Sequence, residues 1–150
     1  MKRQLSPNRY SCLATAFAMV IDVPVLDLIK DIGREVDSIS FKSGEVTGHH
    51  IDEIVYALFK RGFAVTKFGR WSSFYNSVTS EQYHSLLIPF VDTYPGNKGV
   101  LIIDNPGFMY QHAVAWDGLN YLNPSGRVVS GEPEVFYLVT KLENNNVKNN

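Results

Sequence analysis

A single cysteine, Cys12, occurs among the 150 residues. No disulfide can therefore form within the chain, which excludes a secreted, disulfide-built scaffold. No run approaches the roughly 18 consecutive apolar residues that a membrane-spanning helix needs. Basic residues are scattered in runs no longer than two, and the formal net charge is -1. That balance leaves no electrostatic footprint for nucleic acid or for an anionic membrane surface. Internal repeats are lacking. The one linker-like stretch is the polar end Glu143–Asn150, expected to be a disordered tail behind a single domain spanning 1–142. Met1-Lys2-Arg3 is like the start of a signal peptide. However, Thr15 interrupts the apolar stretch Leu13–Ile21, and no small-residue cleavage site follows. The expectation is a cytoplasmic protein.

What is present is ordinary globular composition, 45% hydrophobic and 19% charged, which rules out wholesale disorder. The first half reads as helices. Leu13, Phe17, Val20 and Ile21 fall on one face of a helix over 11–21, with Ser11 as N-cap. A second helix starts near Pro24, turns Val25, Leu28, Ile29 and Ile32 inward, and stops at Gly33. Residues 34–48 read as loop. A third helix carries the stripe Ile51, Ile54, Val55, Leu58 and Phe59; Asp52 and Glu53 begin it, Lys60 and Arg61 end it, and Gly62 stops it. Strands are expected at 63–68, 99–103, 111–116 and 119–123, with a last pair at 127–129 and 135–142. A short helix is placed at 81–87. The class is α+β, N-terminal helices packed on a C-terminal antiparallel sheet.

Asp117-Gly118 between two alternating runs predicts a two-residue type I′ hairpin. That turn pairs Trp116 with Leu119 and, four residues along, His112 with Asn123. Opposed residues have Cβ atoms about 4.5–5.5 Å apart, so an amide would lie beside the imidazole. The same register leaves Asp117 at the hairpin tip, about 17 Å of strand from His112. Cys12 stands at the start of its helix, where unpaired N–H groups and the helix dipole favour a thiolate. Such a placement lowers a thiol pKa from about 8.5 to about 3.5–7.5. Alone, a cysteine beside an apolar helical face is a small core residue. A helix-start cysteine together with a histidine set against an asparagine instead fits nucleophile, base and orienter.

Tyr10-Ser11-Cys12-Leu13-Ala14-Thr15-Ala16-Phe17-Ala18-Met19-Val20, preceded by Gln4, resembles the Gln…Cys-then-helix signature of papain-like cysteine peptidases. The nearest likeness is to the bacteriocin-leader-peptidase-like branch. Gln111-His112-Ala113-Val114-Ala115-Trp116-Asp117-Gly118 and the following Tyr121-Leu122-Asn123-Pro124-Ser125-Gly126 resemble its histidine strand and its later Asp-Pro element. Gly48-His49-His50-Ile51-Asp52-Glu53 and Arg61-Gly62-Phe63-Ala64-Val65 extend the likeness to small stand-alone bacteriophage-encoded proteins of this type. The resemblance implies a papain-like fold and a cytoplasmic cysteine peptidase. Cys12 would be nucleophile, His112 general base and acid, Asn123 orienter and Gln4 oxyanion donor. Asn123 replaces the branch's usual Asp, as in papain itself. Gln4 is eight residues before Cys12, a longer gap than the family's, and Asn8 is the alternative donor. The substrate would be a bacterial or host protein or peptide, with no cofactor; deamidation or acyl transfer would share the same thioester.

A second reading is a catalytically silent papain-like fold that binds, and so inhibits, a host protein. Other clusters carry less. His49 and His50, with His84 or His112, lack ordered zinc-ligand spacing. Gly96, Gly99 and Gly107 do not form a phosphate loop. Asp104 and Glu45 have nothing to bring them together, and Trp71, Phe74 and Tyr75 are either groove lining or packing.

Overall fold

The structure, a computed structural model of the chain, describes residues 1–8, 11–34, 49–69, 97–104, 112–125 and 132–143. Among them are helices α1 (Cys12–Ile21), α2 (Val25–Ile32) and α3 (Ile51–Lys60). They precede strands β1 (Phe63–Gly69), β2 (Lys98–Asp104), β3 (His112–Trp116), β4 (Tyr121–Leu122) and β5 (Glu132–Lys141). The expected helix at 81–87, the strand at 127–129, the loop over 35–48 and the tail from 144 lie outside the described residues. So do Gln111, His84, Glu45, Gly96, Gly107, Trp71, Phe74 and Tyr75.

Local signals set the helix ends. Gly33 and Gly62 both take positive φ, 82° and 89°, the left-handed backbone that closes a helix at least cost in glycine. Asp22 ends α1 in the same region, at φ 60°. Glu53 accepts the backbone N–H of His50 across 2.9 Å, tying down the start of α3. Pro24 stands just before α2 instead of inside it. The expected stripe on α3 is narrower than its sequence suggests: Ile54, Ala57 and Leu58 are buried, whereas Phe59 is exposed. No single helix among the described residues is long and apolar enough to cross a membrane; α1 and α2 pass only as a pair bent by 112°.

In place of a one-sided stripe, α1 is buried at every residue from Ala14 to Ile21. A helix apolar all round belongs inside, and α1 packs on β2 and β3 and against α2, while α3 packs directly on β1. Its Ala14, Ala16 and Ala18 join Ala113 and Ala115 of β3 in the core. Small side chains on both sides let the helix axis approach the strand closely. The larger residues fill the flanks, with the Phe17 and Tyr137 rings 5.9 Å apart.

Among the described residues all the ladders are antiparallel, in the order β1-β5-β2-β3-β4. β5 therefore lies between β1 and β2, paired on both sides with strands far from it in sequence. Pro133 cannot donate to a ladder, and opposite it the β2–β5 register shifts between Ile102 and Ile103. On the sheet face away from that alanine-lined core, Leu101, Val114 and Phe136 are also buried. Gly99 belongs to this packing, because an added Cβ would run into the Phe136 ring and the Tyr137 carbonyl oxygen.

Candidate active site

Cys12 is the first residue of α1, so its sulfur sits at the end of the helix where backbone N–H groups lack intrahelical partners. Ser11 holds the cap position but makes no side-chain cap. Its hydroxyl instead donates to Asn8 Oδ1 across 3.0 Å, while its carbonyl oxygen takes the Thr15 N–H at 2.9 Å and the Thr15 hydroxyl at 2.7 Å. The first turn is thus fixed by buried Ser11 and Thr15. The Ser6 N–H donates to the Pro124 carbonyl oxygen across 2.9 Å, joining the strap ahead of α1 to the turn that carries Asn123.

Close packing of α1 on β3 delivers the thiol to His112, the first residue of β3. Burial pushes the Cys12 pKa up more than any other single influence. A hydrogen bond with His112, the Ala113 N–H, the His112 charge and the Leu13 N–H together outweigh it and hold the thiol below its ordinary value. The complement appears on the base. The hydrogen bond with Cys12 raises the His112 pKa, burial opposes this, and Asn123 and the thiolate charge add to the rise. His112 Nε2 lies 2.6 Å from Asn123 Oδ1. Thiol and amide therefore both act on one imidazole.

The hairpin that brings Asn123 near is not the expected one. Asp117 lacks positive φ, which a type I′ turn requires, although Gly118 has it at 99°. The Asp117 carboxylate instead accepts the N–H of Leu119 at 2.8 Å and of Asn120 at 2.6 Å. A four-residue loop results, with Trp116 opposite Tyr121 and Ala115 opposite Leu122. His112 and Asn123 are consequently not directly opposed. The register differs from expectation by two residues, and an even shift leaves each side chain on its original face. Asn123 stays on the side of His112 as a diagonal neighbour, about 7–8 Å between backbones and within side-chain reach.

Gln4 is not brought to the thiol. Its Nε2 donates to the Val23 carbonyl oxygen at 2.6 Å and its Oε1 accepts the Val25 N–H at 2.8 Å. Both partners lie beyond the far end of α1, about 15 Å of helix from Cys12. The side-chain amide satisfies the break between α1 and α2, which is a structural duty. Asn8 is nearer, held beside Ser11. His49 is buried with Nε2 against the Arg34 carbonyl oxygen at 2.7 Å, and His50 precedes α3. Among the described residues no group of three or more His, Cys, Asp or Glu side chains is placed to hold a metal ion.

Ser125 was absent from the sequence-based site. Its N–H and its hydroxyl both donate to Asn123 Oδ1, each at 3.0 Å. The available signal was Asn-Pro-Ser itself, since an Asn side chain readily accepts the N–H two residues on. No family model, curated protein or solved structure was found to match this chain.

Proposed function

We propose that the chain is a papain-like cysteine hydrolase that cleaves a peptide bond in a bacterial or host protein through Cys12. The observation supporting this most directly is one imidazole coupled to both a thiol and an amide oxygen, His112 Nε2 being 2.6 Å from Asn123 Oδ1. With Nε2 donating to Asn123, Nδ1 is the nitrogen that takes the thiol proton. The depressed thiol and raised imidazole favour a thiolate–imidazolium pair.

In the proposed reaction the Cys12 sulfur attacks the substrate carbonyl carbon, forming a C–S bond as the carbonyl π electrons move onto oxygen. Backbone N–H groups at the start of α1 are suited to that oxyanion. His112 gives its proton to the leaving amine as the C–N bond breaks, which yields a thioester. Water, deprotonated by His112, then attacks the thioester and releases the acid and the thiol. Asn123 keeps the ring oriented throughout and stabilises its charged form.

The test is N-terminal profiling of bacterial proteins exposed to the chain and to its Cys12→Ala variant. New N-termini that appear only with Cys12 present are expected. Identical profiles, with Cys12 alkylating no faster at pH 6 than an ordinary thiol, would overturn the proposal.

A further inference from the structure

The imidazole acts as base toward Cys12 only if its lone pair is on Nδ1. That choice is made at Nε2, by whichever end of the Asn123 amide faces it. An amide's oxygen and nitrogen ends have nearly the same shape and differ only in hydrogen bonding. Were the amide reversed, its NH2 would meet Nε2, and the ring proton would move to Nδ1, facing the sulfur. A neutral ring in that form cannot take the thiol proton.

Ser125 removes the ambiguity. A backbone N–H can only donate, so the Asn123 atom 3.0 Å from the Ser125 nitrogen must be the oxygen. The same oxygen lies 2.6 Å from His112 Nε2, which must therefore carry a proton. The Ser125 hydroxyl also lies 3.0 Å from it, but a hydroxyl can accept as well as donate, so the N–H alone discriminates. Reversing the amide would set its NH2 against that N–H. Asn123 itself is buried, so water is poorly placed to relieve such a clash.

We propose that Ser125 is a positioning residue through its backbone N–H: that donor locks the Asn123 oxygen toward His112 and so selects the ring tautomer that can accept the Cys12 proton. Its importance to catalysis rests on the hydrolase reading above. The requirement is specific to an amide. A carboxylate at 123 would present oxygen either way round, and the lock would have nothing to select.

The test compares Ser125→Pro, which lacks the N–H, with Ser125→Ala, which keeps it, in two backgrounds, the native chain and Asn123→Asp. Ser125 is exposed, so neither substitution enters the core. Nitrogen-15 NMR of the His112 ring in the Cys12→Ala chain, at a pH where the ring is neutral, gives a reading that needs no thiol. There the Nε2–H form should dominate in the native sequence and with Ser125→Ala. Ser125→Pro should shift the tautomer ratio toward Nδ1–H by roughly three- to tenfold, the equivalent of one neutral hydrogen bond. With Asp at 123, Ser125→Pro should leave the tautomer in place. Cys12 alkylation at pH 6 should slow with Ser125→Pro and not with Ser125→Ala. A tautomer that Ser125→Pro leaves unmoved, or shifts equally with Asp at 123, would overturn the inference. An unreactive native Cys12 with the tautomer shift intact would instead remove the hydrolase reading and leave the lock standing.

Discussion

His112 Nε2 lies 2.6 Å from Asn123 Oδ1, and the Cys12 thiol raises the pKa of the same ring. The sign of the coupling follows from the two shifts. The thiol is lowered and the imidazole raised, so the ion pair exists in the interval between them. It is lost by protonation of the thiolate on the acid side and by deprotonation of the ring on the alkaline side. Iodoacetamide labelling of Cys12 should already be rapid below the ordinary thiol range. In His112→Ala, burial remains and the His112 hydrogen bond and charge are gone, leaving the Ala113 and Leu13 N–H groups to oppose it. The onset of labelling should then move up toward the usual thiol pKa of about 8.5. An onset unchanged by the substitution would show that the helix end alone activates the sulfur.

Asn123 separates orientation from charge. Asn123→Ala removes the acceptor for Nε2–H and should slow peptide-bond cleavage by about 10²-fold, within the range for loss of a well-placed acid–base arrangement. Asn123→Asp keeps an oxygen there and adds negative charge. It should raise the His112 pKa further, moving the alkaline limb of the rate profile upward. The pH profiles of kcat/KM for the two variants check both statements. Equal profiles for Ala and Asp would rule out Asn123 as the orienter.

The difference between what could and could not be read in sequence is one of range. Gly33 and Gly62 mark helix ends through their own backbone freedom, which needs no tertiary partner. The burial of α1 on all sides, and the exposure of Phe59, depend on which layers meet, and that is not encoded within a helical window. The place of β5 between β1 and β2 depends on partners far apart along the chain, with no local cue for the order. At the hairpin, Asp-Gly favours one turn, but the Asp117 carboxylate accepting two N–H groups closes a longer loop. His112 and Asn123 still meet because the two-residue difference preserves face. Gln4 illustrates the opposite case, a residue type suited to an oxyanion that the fold uses to satisfy a helix break.

The close approach of α1 and β3 depends on alanines facing one another. Ala115→Leu would force extra volume into a position with 0% exposure, at a cost of about 1–3 kcal/mol. Because the strand delivers His112 to Cys12, displacement of α1 should also weaken the ion pair. Denaturant unfolding should therefore show the loss of stability, and Cys12 labelling at pH 6 should slow in the same protein. Lower stability with native labelling would place the geometry of the pair outside the control of this packing.

Glu53 offers a pH signature separate from the site. Hydrogen bonding from Arg34 holds its carboxyl down at about 2, with burial opposing and the His50 N–H assisting. The guanidinium is bidentate, at 2.6 and 3.0 Å. A depressed carboxyl contributes stability that is present above its unfolded pKa and lost as pH falls through its folded one. Glu53→Gln should therefore destabilise the chain near neutrality, by about 0.2–1 kcal/mol because the pair is solvent-screened. The difference from the native chain should shrink from about pH 4.5 and vanish near pH 2, as urea titrations at successive pH values would read.

Gln4 tests the assignment that the structure moves away from the thiol. Gln4→Ala leaves the Val25 N–H and the Val23 carbonyl oxygen without their side-chain partner. Unpaired polar groups of this kind cost about 1–3 kcal/mol, and the loss should appear as a lower denaturation midpoint. An oxyanion donor would behave otherwise: its removal would lower kcat by about 10²–10³-fold with stability little changed. The expectation here is reduced stability with kcat, measured well below the unfolding transition, near the native value. A large fall in kcat in a protein of native stability would return Gln4 to the reaction and would mean that the bonds to Val23 and Val25 break when substrate binds.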